Sequence, residues 1–241
     1  MSVASVFVLG DPLNFRRVVA LSVALVILLG VGGGAYWYFS RPAAAKAKQC
    51  EAIRDAVKAR GEMVNVSFGA KPLAIIGDSY SAGDELDDRT AGWVYGLRNA
   101  VSGGIVVDGI GGTGFVNGGY CGTGAYDSRI QSILDLKPST VIIQGGLNDV
   151  TAEGRDVEFA ASIVLGRASM VERVVVVGPV DAPGRENEAV VDAQLRKATE
   201  AAGREYVSAL RWNLEFQPDK THLTPAGHAT FAANVASALG S

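Results

Sequence analysis

"LAIIGDSYSAGDE", residues 73–85, carries four apolar residues straight into Gly-Asp-Ser and then into a polar segment containing a second glycine. The apolar run is too short for a helix and reads as a strand buried on both faces. Gly, Asp and Ser are all turn formers, so the strand could simply stop there. The alternative is that Ser79 is a nucleophile held at the carboxyl end of that strand. This second reading requires a base, a group to orient it, and donors for an oxyanion elsewhere in the chain.

Outward from this stretch the pattern repeats. "GIVVDG", "STVIIQGG", "RVVVVGPV" and "EYVSAL" are further short, apolar, mostly β-branched segments. Longer segments with helical spacing separate them: "DDRTAGWVYGLRNAV", "AYDSRIQSILDL", "DVEFAASIVLGRASM" and "ENEAVVDAQLRKATEAA". A last helix, "TPAGHATFAANVASAL", has Thr224 as N-cap and Pro225 at its first position. Strands alternating with helices predict an α/β domain, a parallel five-stranded sheet covered on both faces in three layers. Ligands of such sheets bind beyond the carboxyl ends of the strands, where Ser79 would stand.

The other groups fall on the same edge. "DGIGGTGFVNGGYCGTG", Asp108 to Gly124, follows the second strand and is too glycine-dense for a helix. It lacks the Gly-Lys-Ser/Thr of a phosphate loop and opens no periodic helix, which leaves a loop whose bare backbone can approach a substrate and donate N–H groups. "IIQGGLNDV" places Asn148 after the third strand, where a side-chain amide can face developing negative charge. The chain has only 2 histidines, both in "PDKTHLTPAGH". His222 stands three residues after Asp219, a spacing that lets the carboxylate reach Nδ1 and leave Nε2 to accept a proton. His228 lies inside the last helix and reads as a packing histidine.

In this order "GDSYS", "GIGGTGF", "GLND" and "DKTHLTPAGH" resemble the four sequence blocks of the SGNH hydrolases, the GDSL-type esterase and lipase superfamily. The resemblance runs from Leu73 to the end of the chain. It implies a flavodoxin-like sheet and a serine ester hydrolase that needs no metal or organic cofactor. Carried over residue by residue, Ser79 is nucleophile and first oxyanion donor, Gly112 and Asn148 are the further oxyanion donors, His222 is the base and Asp219 its orienter. Gly111 and Gly114 compete with Gly112 for the glycine position. Tyr80 stands where the namesake motif has leucine, a departure expected to affect packing more than chemistry. The substrates implied are lipid, acetylated-glycan or small esters. The same residues would serve an O-acyltransferase, and a catalytically silent surface binding domain is the alternative from a different class. An α/β-hydrolase elbow is excluded, because no Gly-x-Ser-x-Gly occurs.

At 241 residues the chain has room for one substantial core plus an appendage. A net charge of -3 without any Lys/Arg run excludes a nucleic-acid surface. From Val18 to Ser40 no residue is charged, a length that suits the roughly 20 apolar residues of a membrane span. Tyr36, Trp37 and Tyr38 close it like an interfacial belt. An uncleaved transmembrane anchor is the expectation, with a cleaved signal peptide ending near "RPAAAKA" as the competing one. The layout expected is an arm over 1–17, the anchor over 18–40, a linker and short helix over 41–70, and the hydrolase domain over 71–241. Arginines and lysines flank the span on both sides, so charge alone does not orient it. The 2 cysteines, Cys50 and Cys121, lack zinc spacing. A disulfide between them would place the domain outside the cytoplasm, and two free thiols are the alternative.

Overall fold

A computed structural model describes residues 43–55, 64–68, 71–101, 103–151 and 156–240. The expected anchor over 18–40 lies outside the described residues. Among the described residues no helix is long and apolar enough to cross a membrane. The chain divides into two units, residues 1–51 and 52–241. Residues 43–55 are helical (α1), beginning in the alanine-rich stretch that the sequence presents as linker; alanine is the strongest helix former.

Among the described residues of the second unit the sheet has six strands: β1 Val64–Ser67, β2 Leu73–Gly77, β3 Ile105–Gly109, β4 Thr140–Gln144, β5 Arg173–Val180 and β6 Glu205–Ala209. Their order is β1-β3-β2-β4-β5-β6. From β2 to β6 every pairing is parallel, and β1 alone runs antiparallel, along β3. The expected five-stranded parallel sheet is therefore corrected to a mixed sheet of six. The five parallel strands keep the doubly wound order 2-1-3-4-5, which reverses direction at β2. In doubly wound sheets ligands bind at such a reversal, and here it lies at the carboxyl end of β2.

The helices are α2 Ser79–Ala82, α3 Trp93–Gly96, α4 Tyr126–Leu134, α5 Val157–Arg167, α6 Glu188–Ala201 and α7 Pro225–Leu239. They cover both faces of the sheet because the strand residues alternate. Ile75, Val107, Ile142 and Val175 pack with Trp93, Leu97, Phe231 and Val235, on the face of α3 and α7. Ala74, Ile76, Val141 and Ile143 pack with Ile130 and Ile133 of α4, Val164 of α5 and Leu195 of α6 on the other. All five residues of β2 are buried, which is why it reads as an unbroken apolar run.

The helix expected over 87–101 is broken into two 3-10 turns around α3. Gly92 is extended (φ −67°, ψ 152°) and interrupts the helix. A β-carbon on Gly96 would come within 2.7 Å of Ala232 Cβ, so the close approach of α7 requires the glycine.

Candidate active site

β2 ends at Gly77, and Asp78 turns the chain. Its backbone is extended, and its carboxylate accepts the Tyr80 N–H at 3.0 Å as the N-cap of the one-turn helix α2, which Gly83 closes in the left-handed region. Ser79 is partly exposed between buried Asp78 and Tyr80. Of the three, Ser79 alone is thus open to solvent. Burial pushes the Asp78 carboxyl up to about 6, against hydrogen bonds from the Tyr80 N–H and the Gln144 side chain. Ser81 Oγ donates to Gln144 Oε1 at 2.6 Å, tying α2 to the end of β4.

Asp219 and His222 meet as the spacing predicts. Asp219 Oδ1 accepts the N–H groups of Thr221 and His222, each at 2.9 Å, and Oδ2 lies 2.5 Å from His222 Nδ1. Burial would raise the Asp219 carboxyl, but hydrogen bonds from the His222 ring and from the two backbone N–H groups hold it down to about 2. An ionised carboxylate can only accept, so Nδ1 carries the proton, and in the neutral ring Nε2 is then the nitrogen with the lone pair. Thr224 caps α7 directly after this loop, accepting the Gly227 N–H at 3.1 Å.

Tyr80, the neighbour of Ser79, reaches this loop. Its hydroxyl donates to the Thr221 carbonyl at 2.5 Å, and its ring centroid lies 6.5 Å from that of His222. The carboxyl end of β2 and the His222 loop are therefore in contact.

The glycine loop arrives from β3. Ile110 N–H donates to the Gly77 carbonyl at 3.1 Å, and a β-carbon on Gly111 would come within 3.7 Å of Ser79 Cβ. Gly112 follows in the left-handed region at φ +73°. Of the three competing glycines, Gly114 has its N–H committed, donating to the Asn117 carbonyl at 2.8 Å. The N–H groups of Ser79, Gly111 and Gly112 meet no acceptor among the described residues.

Asn148 stands in a 3-10 turn, Leu147–Thr151, after β4. One N–H of its amide donates to the Thr113 carbonyl at 3.0 Å, which aims the second N–H. Asn117 Nδ2 donates back to the Asn148 carbonyl at 2.9 Å. The next residue, Asp149, is buried and accepts three consecutive backbone N–H groups, those of Phe115, Val116 and Asn117, at 2.9–3.0 Å. Gly114 lies against this carboxylate, where any β-carbon would collide with it.

Arg129 of α4 completes the frame. It donates to the carbonyls of Gly77 (3.1 Å) and Gly124 (2.9 Å) and to Thr113 Oγ1 (3.1 Å), and it pairs with the buried Asp108 carboxylate at the end of β3. The strand ends and the glycine loop are thus joined through one guanidinium.

Sequence reasoning did not single out Asp149, Arg129 or Gln144, and it underread Tyr80. Asp149 sat inside the "GLND" block, so adjacency to Asn148 was the available signal; Arg129 looked like any polar position on an amphipathic helix. His228 is buried, its Nδ1 accepts the Trp93 N–H at 3.3 Å, and burial lowers its pKa to about 4. Neither cysteine is a free thiol: Cys50 and Cys121 are both disulfide-bonded. Among the described residues no group of three His, Cys, Asp or Glu side chains is arranged to hold a metal ion.

Three solved structures show how widely this fold is shared. A carbohydrate acetylesterase from Sinorhizobium meliloti superposes with a TM-score of 0.60 at 13% identity, covering 70% of this chain and 98% of its own. An acetylxylan esterase from Geobacillus stearothermophilus gives 0.56 at 19%, covering 72% and 96%. An alpha/beta hydrolase enzyme from the metagenome of Lake Arreo, Spain, gives 0.59 at 20%, covering 73% and 97%. No curated protein matches the chain by sequence. The model of the GDSL-like lipase/acylhydrolase family matches residues 75–230, from inside β2 into α7, and so spans every residue of the site just described. With that match over most of its length, the chain belongs to the GDSL-like lipase/acylhydrolase family, within the SGNH hydrolase superfamily, and is a carboxylic ester hydrolase.

Proposed function

We propose that the protein hydrolyses short-chain acyl esters, acetyl groups on a glycan in the first place, through an acyl-enzyme on Ser79. His222 Nε2 takes the Ser79 proton as Oγ attacks the ester carbonyl. The N–H groups of Ser79 and Gly112 and the Asn148 amide hold the oxyanion. His222 then protonates the leaving alcohol, and water repeats the sequence on the acyl-enzyme. Asp219 stays ionised and fixes the imidazole tautomer.

The observation that carries this reading is the Asp219–His222 pair, at 2.5 Å, on a loop hydrogen-bonded to the residue after Ser79. The preference for a short acyl group is supported by the Asp84 carboxylate, which packs against Gly111 beside Ser79 and leaves a polar wall there. It is also in keeping with two structural neighbours, a carbohydrate acetylesterase and an acetylxylan esterase. For location, the proposal is a membrane-anchored domain outside the cytoplasm. The charge-free run over 18–40 and the oxidised state of both cysteines support it.

The test is hydrolysis of aryl esters from acetyl to long-chain, alongside labelling by a fluorophosphonate. Acetyl is expected to be the best substrate, and Ser79→Ala to abolish turnover and labelling while the protein stays folded. Asn148→Ala is expected to lower kcat by roughly 10²–10³. A rate that climbs with chain length would replace the glycan by a lipid. A label that persists in Ser79→Ala would remove the mechanism.

A further inference from the structure

Tyr80 occupies the place where the GDSL motif has leucine, and leucine cannot donate a hydrogen bond. Here the side chain is 2% exposed, so its hydroxyl is cut off from bulk water and needs a partner within the protein. That partner is the carbonyl of Thr221, the residue immediately before His222, at 2.5 Å and 141 positions away in sequence. The ring itself is held by α7, edge-on to His228 and Phe231 at centroid distances of 6.0 and 6.1 Å. It is thus a rigid strut fixed at one end beside Ser79 and hydrogen-bonded at the other beside His222.

The loop that bears His222 needs such a support. From Pro218 to Lys220 it is exposed, and Lys220 adopts a left-handed backbone at φ +60°. A second tie crosses on the solvent side. Gln217 Nε2 donates to the Glu85 carbonyl at 2.8 Å, while the Gln217 N–H donates to the His222 carbonyl at 2.7 Å. The two ties land inside α2, at residue 80, and just beyond its end, at residue 85, and on the loop at residues 221 and 217. Together they join the one-turn helix and the base loop into a single body.

From this geometry we infer that Tyr80 is a positioning residue: its hydroxyl sets the separation of Ser79 and His222, with Gln217 as an auxiliary tie. The inference rests on the reading of Ser79 and His222 as nucleophile and base. Tyr80 touches no reacting atom. Its effect passes through the Thr221 carbonyl, so it should act on the proton-transfer step and leave substrate binding alone.

The experiment compares the wild-type chain with Tyr80→Phe, Gln217→Ala and the double variant, using p-nitrophenyl acetate turnover and the rate of fluorophosphonate labelling. Tyr80→Phe keeps the ring and its packing and removes only the hydroxyl. We expect its kcat to fall about ten- to a hundred-fold with KM within about twofold, its labelling to slow by a similar factor, and its near-UV circular dichroism to match wild type. Gln217→Ala should show a smaller fall in kcat with the same split. The double variant should lose more than the product of the two, because each single variant keeps one tie. A folded Tyr80→Phe with wild-type kcat, or with the loss in KM, overturns the inference. If Tyr80→Phe does not fold, an unchanged kcat in Gln217→Ala overturns it. Wild-type protein that takes no label on Ser79 instead strikes the nucleophile assignment beneath it.

Discussion

Asp149 shows how much of the proposed oxyanion site depends on a residue outside it. Its carboxylate gathers three successive N–H groups of the glycine loop, and its neighbour Asn148 is hydrogen-bonded to the same loop at Thr113. A carboxylate accepting several backbone N–H groups is a strong, directional clamp, and each such charge-assisted bond is worth roughly 1.5–3 kcal/mol. Asp149→Asn keeps the shape but turns one acceptor atom into a donor facing N–H groups. We expect kcat to fall by at least about tenfold and the melting temperature to drop by several degrees, since a loss of about 2 kcal/mol shifts a domain of this size by that much. Asp149→Glu should not rescue either property, because Gly114 leaves no room for a longer side chain to seat its carboxylate. Steady-state kinetics with a thermal melt checks both; a variant that melts early but turns over normally would mean that the clamp serves stability alone.

Among the elements, those that the sequence made legible are those whose surroundings are uniform. β2 to β5 are buried on both faces and appear as unbroken apolar runs, and α7 carries Thr224 and Pro225 as its start signal, so their positions follow from composition and local chemistry. β1 did not stand out, because "VNVS" is four residues long with only Val66 buried, and an edge strand has one partner and little apolar demand. The broken helix over 87–101 was misread for another reason: apolar spacing reports which side faces the core, but it does not report that Gly92 leaves the helical region or that Gly96 must admit α7. The site divides the same way. Asp219 and His222 are three residues apart, so their contact is local and readable. Tyr80 and Thr221, or Arg129 and Gly77, become neighbours only after the chain has folded, and nothing near them in sequence records it. Three glycines of one loop look alike on paper, and only the destination of each N–H separates Gly114 from Gly111 and Gly112.

For the whole molecule, two buried groups titrate against each other. His228 is held at about 4 by burial, below its ordinary 6.5, so folded His228 binds fewer protons than unfolded; its contribution is full above pH 6.5 and is lost as pH falls toward 4. Asp78 is raised to about 6 by burial, above its ordinary 3.8, so its contribution is full below pH 3.8 and is lost as pH rises through 6. Each swing is roughly 3 kcal/mol, and over pH 4–6 they have opposite signs and nearly cancel. Asp219, at about 2, titrates below this window. Folding stability should therefore be nearly level between pH 4 and 6 as far as these groups set it. His228→Asn, whose amide oxygen can accept the Trp93 N–H in place of Nδ1, should uncover the Asp78 slope, with stability falling by about 2 kcal/mol as pH rises from 4 to 6. Urea titrations across that range compare the two proteins, and parallel profiles would show that His228 does not titrate as a buried neutral base. A last consequence comes from β1. It is antiparallel, short and easily trimmed, yet it is what covers the outer backbone groups of β3, the strand that leads into the glycine loop. A recombinant fragment cut at Leu73 would retain every residue of the site and still present a bare, apolar strand margin to its own copies. We expect that fragment to self-associate on size-exclusion chromatography in reducing buffer, whereas one beginning at Ala52 runs as a discrete species in the same buffer; for anyone engineering the enzyme, solubility is decided at Val64–Ser67, well before Ser79.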